Sequence, residues 1–78
     1  MQLTSKQLEQ IKKQYRLSPR ETQIVELILQ GVDSNEKIAE NLGISLGVAK
    51  QYVHGVCVKF QISSKLGVAV KVFDSIHK

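Results

Sequence analysis

Apolar residues recur along this chain at helical spacing, in five stretches separated by short polar breaks. Gaps of three and four between apolar positions predict helices, and no stretch alternates as a strand would. A serine, threonine or aspartate precedes each stretch and can accept a hydrogen bond from the first-turn amides of a helix. The predicted helices begin at Thr4 or Ser5, Ser18, Asp33 or Ser34, Ser45, and Ser63 or Ser64, and they end by Tyr15, Gly31, Leu42, Phe60 and Ile76. The chain is therefore predicted to be all-α.

The start of the second helix carries a strong local signal. Ser18 can cap the helix, Pro19 suits its first turn, and Glu21 at the third position completes a capping box. Gly31 suits the residue that follows a helix, because glycine adopts left-handed backbone angles without strain.

The third and fourth predicted helices lie close together in the sequence. A short helix over 34–42 and a longer helix over 45–60 are separated by Gly43, Ile44 and Ser45. Gly43 can supply the unusual backbone angles, and Ile44 can fill the angle between the two helices. This layout is typical of a helix-turn-helix, although other helical hairpins share the spacing.

Length and composition narrow the class of protein. The chain has 78 residues, 42% of them apolar and 23% charged, as expected of one small globular domain. A single cysteine allows neither an internal disulfide framework nor a zinc pattern. No apolar run approaches the ~20 residues of a membrane span, and no signal segment opens the chain. We therefore expect neither a secreted miniprotein, nor a membrane protein, nor a multidomain enzyme.

The positive charge is confined to one half of the chain. Residues 1–43 carry six basic and six acidic side chains, whereas residues 44–78 carry five lysines against Asp74 alone. A local excess of this kind favours a polyanionic partner, most often nucleic acid. Lysines kept only for solubility are the simpler alternative. The lysines concerned are Lys50, Lys59, Lys65, Lys71 and Lys78.

The longer helix of the central pair divides into two faces at roughly 100° per residue. Its apolar face is predicted to join the core and consists of Leu46, Ala49, Val53, Val56, Cys57 and Phe60. The second stripe has no role in the core and holds the best hydrogen-bonding side chains of the helix. It consists of Gly47, Lys50, Gln51, His54 and Val58, and glycine at 47 and 55 would allow close approach of a backbone or groove wall.

These motifs together resemble the LuxR/GerE-type DNA-binding domain of bacterial transcriptional regulators. The resemblance covers residues 17–73 and implies a four-helix helix-turn-helix bundle, here with an extra N-terminal helix. Residues 1–16 would then be an N-terminal helix or a linker remnant, and residues 17–78 the DNA-binding domain. The resemblance is carried by Leu17-Ser18-Pro19-Arg20-Glu21, Gly31, Ile38-Ala39, Leu42-Gly43-Ile44-Ser45, Val48, Lys50 and Val53.

The resemblance also implies which residues contact double-stranded DNA. Members of the family read bases from the positions that match Lys50, Gln51 and His54, with the recognition helix 45–60 in the major groove. Lysine can donate to guanine, glutamine can pair with adenine, and histidine can donate to a base or a phosphate. Arg20 suits either a phosphate contact or a structural ion pair. The remaining phosphate contacts are expected at helix ends, at Ser45, Gly47, Ser64 and Lys65.

The last helix is expected to have a core face and an outer flank. The core face would consist of Leu66, Ala69, Val70, Phe73 and Ile76, leaving Val68 and Val72 exposed on the other flank. The resemblance implies a homodimer through this helix, which would bury those two valines and read an inverted repeat in DNA. Two isolated exposed valines could equally be tolerated as they are.

Other functions fit the sequence less well. Cys57 and His54 fall on different stripes of their helix, so a catalytic pair is not expected, and the chain is predicted not to be an enzyme. Two histidines, His54 and His77, supply too few ligands for a metal site. No cofactor, small-molecule substrate or membrane contact is expected, and the bacterial cytoplasm, at the nucleoid, is the expected location.

Two alternatives keep the helix-turn-helix fold. The first is a protein-interaction module that has lost DNA recognition, with Leu46, Val48 and Val58 as its apolar surface. The polar stripe argues against it, since such a module has no need of those side chains. The second is a domain like region 4 of sigma factors, which would bind both promoter DNA and RNA polymerase. RNA polymerase is also a candidate partner of a LuxR-type regulator.

Overall fold

The computed structural model describes residues 3–77, and within that range the chain forms five α-helices and no strand. The prediction of an all-α fold is confirmed. Lys78, one of the lysines behind the predicted positive charge, lies outside the described residues. The helices are α1 (Ser5–Tyr15), α2 (Pro19–Leu29), α3 (Asn35–Leu42), α4 (Leu46–Phe60) and α5 (Gly67–Ile76).

Side-chain caps fix the start of each of the first four helices. Ser18 accepts a hydrogen bond from the Glu21 amide at 3.1 Å, and the Glu21 carboxylate accepts one from the Ser18 amide at 2.9 Å, which is the predicted capping box. Thr4 and Gln7 form a second capping box at the start of α1. Ser34 and Ser45 cap α3 and α4 in the predicted positions.

The turn between α3 and α4 follows the predicted geometry. Gly43 adopts a positive φ of 66°, in the left-handed region that favours glycine. The amide of Ile44 donates to the carbonyl of Ala39 at 3.0 Å, so the backbone itself supplies a hydrogen bond to a carbonyl in the last turn of α3. The Ile44 side chain is partly buried and packs against the core. These contacts form the turn of the helix-turn-helix, in which α3 and α4 pack against each other.

The helix α5 begins later than the serine pattern predicts. It starts at Gly67, and no side chain caps it, because residues 64–66 form a tight turn in which the Gly67 amide donates to the Ser64 carbonyl at 3.0 Å. Glycine suits this position because a Cβ atom at residue 67 would lie only 3.0 Å from the side chain of Ile62, which would have to shift. The prediction that Ser63 or Ser64 caps this helix was wrong.

The predicted faces of α5 are largely reversed in the structure, although Ala69 and Ile76 pack against the core as predicted. Val68 and Val72, the two residues predicted to be exposed at a dimer interface, are completely buried. Leu66, Val70 and Phe73, predicted to join the core, are 75%, 62% and 51% exposed. Val68 and Val72 therefore stabilise the core of one chain and have no surface left for a second copy.

The helix α1 packs on the bundle and explains this reversal. Ile11 is fully buried, and the centroids of the Tyr15 and Phe60 rings are 3.9 Å apart. The Tyr15 hydroxyl forms a hydrogen bond of 3.0 Å with the Ser75 hydroxyl. Ser75 lies on the same stripe of α5 as Val68 and Val72, so this contact turns that stripe inward. A single core runs through the five helices.

Candidate nucleic-acid interface

The helix α4 buries one face and exposes the other, as its pattern predicts. Ala49 and Val56 are fully buried, and Val53, Cys57 and Phe60 are also in the core. Leu46 is the exception, because it stands in the first turn and remains 38% exposed. The Ser45 hydroxyl accepts a hydrogen bond from the Val48 amide at 3.2 Å and so fixes where α4 begins.

The predicted base-reading side chains lie on the exposed face of α4. Lys50, Gln51 and His54 are all exposed. Among residues 3–77 none of the three forms a hydrogen bond or an ion pair with another side chain. Gly47 lies on the same face, and a Cβ atom there would meet nothing within 4 Å. No side chain therefore covers the surface beside Lys50, Gln51 and His54, which leaves it open to the wall of a DNA groove.

A groove of about 660 Å³ runs beside this face of α4. One wall carries Lys50 and His54 from α4, and the other carries Ser64 and Lys65 from the turn before α5. The fold thus brings together two predicted base-reading residues and two predicted phosphate-binding residues that are far apart in the sequence. Gln51, Ser45, Gly47 and Arg20 do not line this groove.

Two polar groups at the groove were missed by the sequence reasoning. The ammonium group of Lys65 donates to the side-chain oxygen of Asn35 at 3.3 Å, which ties the turn before α5 to the first residue of α3. Asp33 also lines the groove and brings a negative charge to an otherwise basic surface. No spacing in the sequence links residue 33 to residues 50 and 65, so only the tertiary structure reveals these neighbours.

Arg20 lies at the start of α2, in the turn after the cap. Its guanidinium donates to the side-chain oxygen of Gln23 at 3.3 Å, an interaction within its own helix. Within the described part of the chain Arg20 forms no ion pair. Its charge therefore remains available for a phosphate, whereas the structural ion pair considered for it does not form among these residues.

Lys59, one of the lysines behind the predicted positive charge, forms a structural ion pair. Its ammonium group lies 2.6 Å from the Glu21 carboxylate and donates to the Arg16 carbonyl at 2.8 Å. Burial by itself would raise the pKa of the Glu21 carboxyl, but the hydrogen bonds from Lys59 and Ser18 and the charge of Lys59 outweigh it and lower the pKa. Lys59 thus joins α4 to α2 and to the end of α1.

Gly55 supplies the sequence signal that could have revealed this ion pair. A Cβ atom at residue 55 would lie 3.0 Å from the Glu21 carboxylate. The glycine in α4 therefore leaves space for the buried carboxylate of α2. The expectation that Gly55 admits a groove wall was wrong for this reason. A glycine in a helix interior costs about 1 kcal/mol relative to alanine, which makes its position informative.

Cys57 borders the groove but has the properties of a core residue. It is 9% exposed, and burial raises the pKa of its thiol, although the charge of Lys65 acts in the opposite direction. A thiol of this kind is a poor nucleophile at neutral pH. In the described range no group of three or more His, Cys, Asp or Glu side chains is placed to hold a metal ion.

The fold and the exposed stripe together define a helix-turn-helix protein with a basic groove beside α4, the second helix of the motif. The model of the family described as bacterial regulatory proteins, luxR family (GerE), matches residues 15–72. The chain belongs to this family, which confirms the resemblance. The family is one of non-enzymatic DNA-binding domains, which suggests a DNA-binding regulator in general. No curated protein and no solved structure matched the chain.

The matched segment contains α2, α3 and α4 and most of α5, whereas almost all of α1 precedes it. The family match favours a LuxR-type domain over one like region 4 of sigma factors. In the described range, none of the helices has both the length and the apolar character that crossing a membrane requires.

Proposed function

We propose that this chain is a bacterial transcriptional regulator that binds double-stranded DNA with sequence specificity, with α4 in the major groove. The observation that carries the proposal is the exposed stripe of Lys50, Gln51 and His54, whose donors and acceptors have no partner among residues 3–77. Burying such groups against a protein partner without pairing each one would cost free energy, whereas base edges offer matching partners. Its expected location is the bacterial cytoplasm, at the nucleoid.

The proposal assigns each side chain a contact of its own. Lys50 donates to guanine O6 and N7, Gln51 pairs with adenine N6 and N7, and His54 donates to a base acceptor. Phosphates bind around this centre, at the Ser64 hydroxyl and Lys65 across the groove and at Arg20 on α2. At the start of α4, Ser45 and the open backbone of Gly47 offer a further phosphate site, which the helix dipole favours.

A second copy of the chain is proposed to bind through the outer face of α5. This face consists of Leu66, Val70 and Phe73, spaced four and three residues apart, and it replaces the buried valines as the candidate interface. Phe73 stacks on His77, with ring centroids 4.1 Å apart, which gives the face a flat aromatic end. A Phe73→Glu variant should keep its fold, because Phe73 is exposed, and should sediment as a monomer on DNA where the unmodified chain sediments as a dimer.

Binding over a salt series tests the proposal directly. Fluorescence anisotropy with a mixed duplex library should show an affinity that falls steeply with salt, with a log–log slope of about −0.9 for each phosphate neutralised. Lys50→Glu should abolish this binding. Lys6→Glu, which makes the same charge change on the exposed side of α1, should retain it.

A folded protein that binds no duplex at low salt would contradict the proposal. It would favour the protein-interaction module, whose apolar surface would be Leu46, Val48 and Val58, all exposed on α4. Equal loss of binding in Lys50→Glu and Lys6→Glu would show attraction by net charge alone and would remove α4 from the mechanism.

A further inference from the structure

One exposed apolar side chain stands at the C-terminal end of the polar stripe of α4. Val58 is 60% exposed and stands one helical turn after His54, so its side chain projects from the same face. The core residues of α4 lie on the opposite side, and Val58 adds nothing to them. An exposed valine here costs hydration free energy and forms no hydrogen bond.

The position of Val58 separates it from the other exposed apolar residues. Leu46 and Val48 are 38% and 39% exposed and lie in the first turn of α4, on either flank of the stripe. Val58 is more exposed and shares the groove with Lys50 and His54. A base next to the one that His54 contacts in DNA therefore lies within reach of the Val58 isopropyl group.

The major groove offers one natural apolar partner for such a group. Base edges there present hydrogen-bond donors and acceptors, and thymine alone among the four bases adds a C5-methyl group. Burying a methyl group against an aliphatic side chain removes apolar surface of both from water. A phosphate would instead leave the valine without a favourable contact.

We propose that Val58 reads the C5-methyl group of a thymine, so that the preferred DNA site carries a T·A pair beside the base that His54 contacts. This inference rests on the proposed function of α4. Four helical residues advance about 6 Å along the helix, and base pairs are stacked about 3.4 Å apart. The thymine is therefore one or two base pairs from the base contacted by His54, on the side of the C-terminal end of α4.

Replacing thymine with deoxyuridine removes the methyl group and keeps every hydrogen-bonding group of the base. A duplex selected by the protein from a random library is resynthesised with deoxyuridine at one thymine at a time, and each Kd is measured by fluorescence anisotropy at constant salt. At one thymine in each half-site, the replacement should weaken binding about fourfold, because binding then no longer buries one methyl-sized group.

Two variants show whether Val58 makes the contact. Val58→Ala should bind the thymine and deoxyuridine duplexes equally, and its fold should be unchanged because the side chain is exposed. Gln14→Ala truncates an exposed side chain of α1, away from the groove and from the proposed dimer face, and should keep the fourfold difference. Val58→Ala should also keep the oligomeric state of the unmodified chain.

The remaining outcomes overturn the inference in distinguishable ways. Specific binding that is unaffected by deoxyuridine at every position, or a selected site without thymine there, would refute methyl reading and leave the proposed function intact. A fourfold difference that persists in Val58→Ala would assign the methyl contact to another residue. Loss of self-association in Val58→Ala without a change in the thymine preference would place Val58 in a protein interface. No binding to any duplex would overturn the proposed function itself.

Discussion

The helices α4 and α5 are both rich in apolar residues, but the sequence predicts which face is exposed correctly only for α4. In α4, hydrophilic side chains such as Lys50, Gln51 and His54 occupy one stripe, and that stripe is exposed. In α5, apolar residues cover more than half of the helix circumference, and the stripe among them that lies deepest in the core is the one predicted to be exposed. A helix wheel thus identifies the outside of a helix only where polar residues mark it.

Aspartate substitutions at two nearby valines of α5 test this comparison with the largest expected effect. Val72→Asp places a charge at a fully buried position and should cost at least about 4 kcal/mol of unfolding free energy or prevent folding. Val70→Asp, at a position that is 62% exposed, should cost less than about 1 kcal/mol. Urea unfolding followed by circular dichroism measures both. Equal effects would mean that the faces of α5 are not as described.

Substitutions in α4 should affect DNA binding without affecting the fold. Lys50→Ala or Gln51→Ala should lower specific affinity by about 1 to 3 kcal/mol, because each removes hydrogen bonds to one base. The helical circular dichroism spectrum should be unchanged, since both side chains are exposed. Lys13→Ala, at an exposed lysine of α1, is the matched control and should bind normally. Unfolding of Gln51→Ala would instead place that residue in the core.

The ion pair between Glu21 and Lys59 makes stability depend on pH. The pKa of Glu21 is lowered in the folded chain, so its contribution is complete above the pKa of an unfolded carboxyl, ~4.3, and is lost as pH falls through the folded value. Lys59→Met should lower the unfolding free energy at neutral pH by about 1 to 2 kcal/mol, because it leaves a buried carboxylate with one partner fewer. The cost stays modest because the Lys59 side chain is 37% exposed.

Unfolding curves between pH 3 and 7 test this assignment. The unmodified chain should lose stability toward the acid end, and Lys59→Met should lose less over the same range. Lys71→Met, on α5, controls for the loss of one lysine. The same acid dependence in both variants would show that another carboxyl is responsible.

The smallest expected effect concerns the contact that orients α5. Tyr15→Phe removes the hydrogen bond to Ser75 and should cost about 1 kcal/mol. Tyr52→Phe changes the other tyrosine, whose hydroxyl forms no hydrogen bond among residues 3–77, and should be close to neutral. Thermal unfolding of the two variants, side by side, measures the difference. A neutral Tyr15→Phe would show that apolar packing alone holds α1 on α5.

Local signals alone are sufficient to predict much of this fold. The capping boxes, the proline and glycines at helix ends, and the spacing of apolar residues act within one or two helical turns, so the sequence displays them directly. They locate α1 to α4 and the turn at Gly43 within a residue or two. The exposed stripe of Lys50, Gln51 and His54 follows from the same local reasoning.

Contacts between residues far apart in the chain decided the rest. The start of α5 depends on the approach of Ile62 to Gly67, and its orientation depends on Tyr15, sixty positions before Ser75. The position of Lys59 likewise depends on Glu21, for which Gly55 leaves space. An apolar pattern shows that a residue prefers to be buried, but where several faces of a helix qualify, the helices that pack against it determine which one is buried.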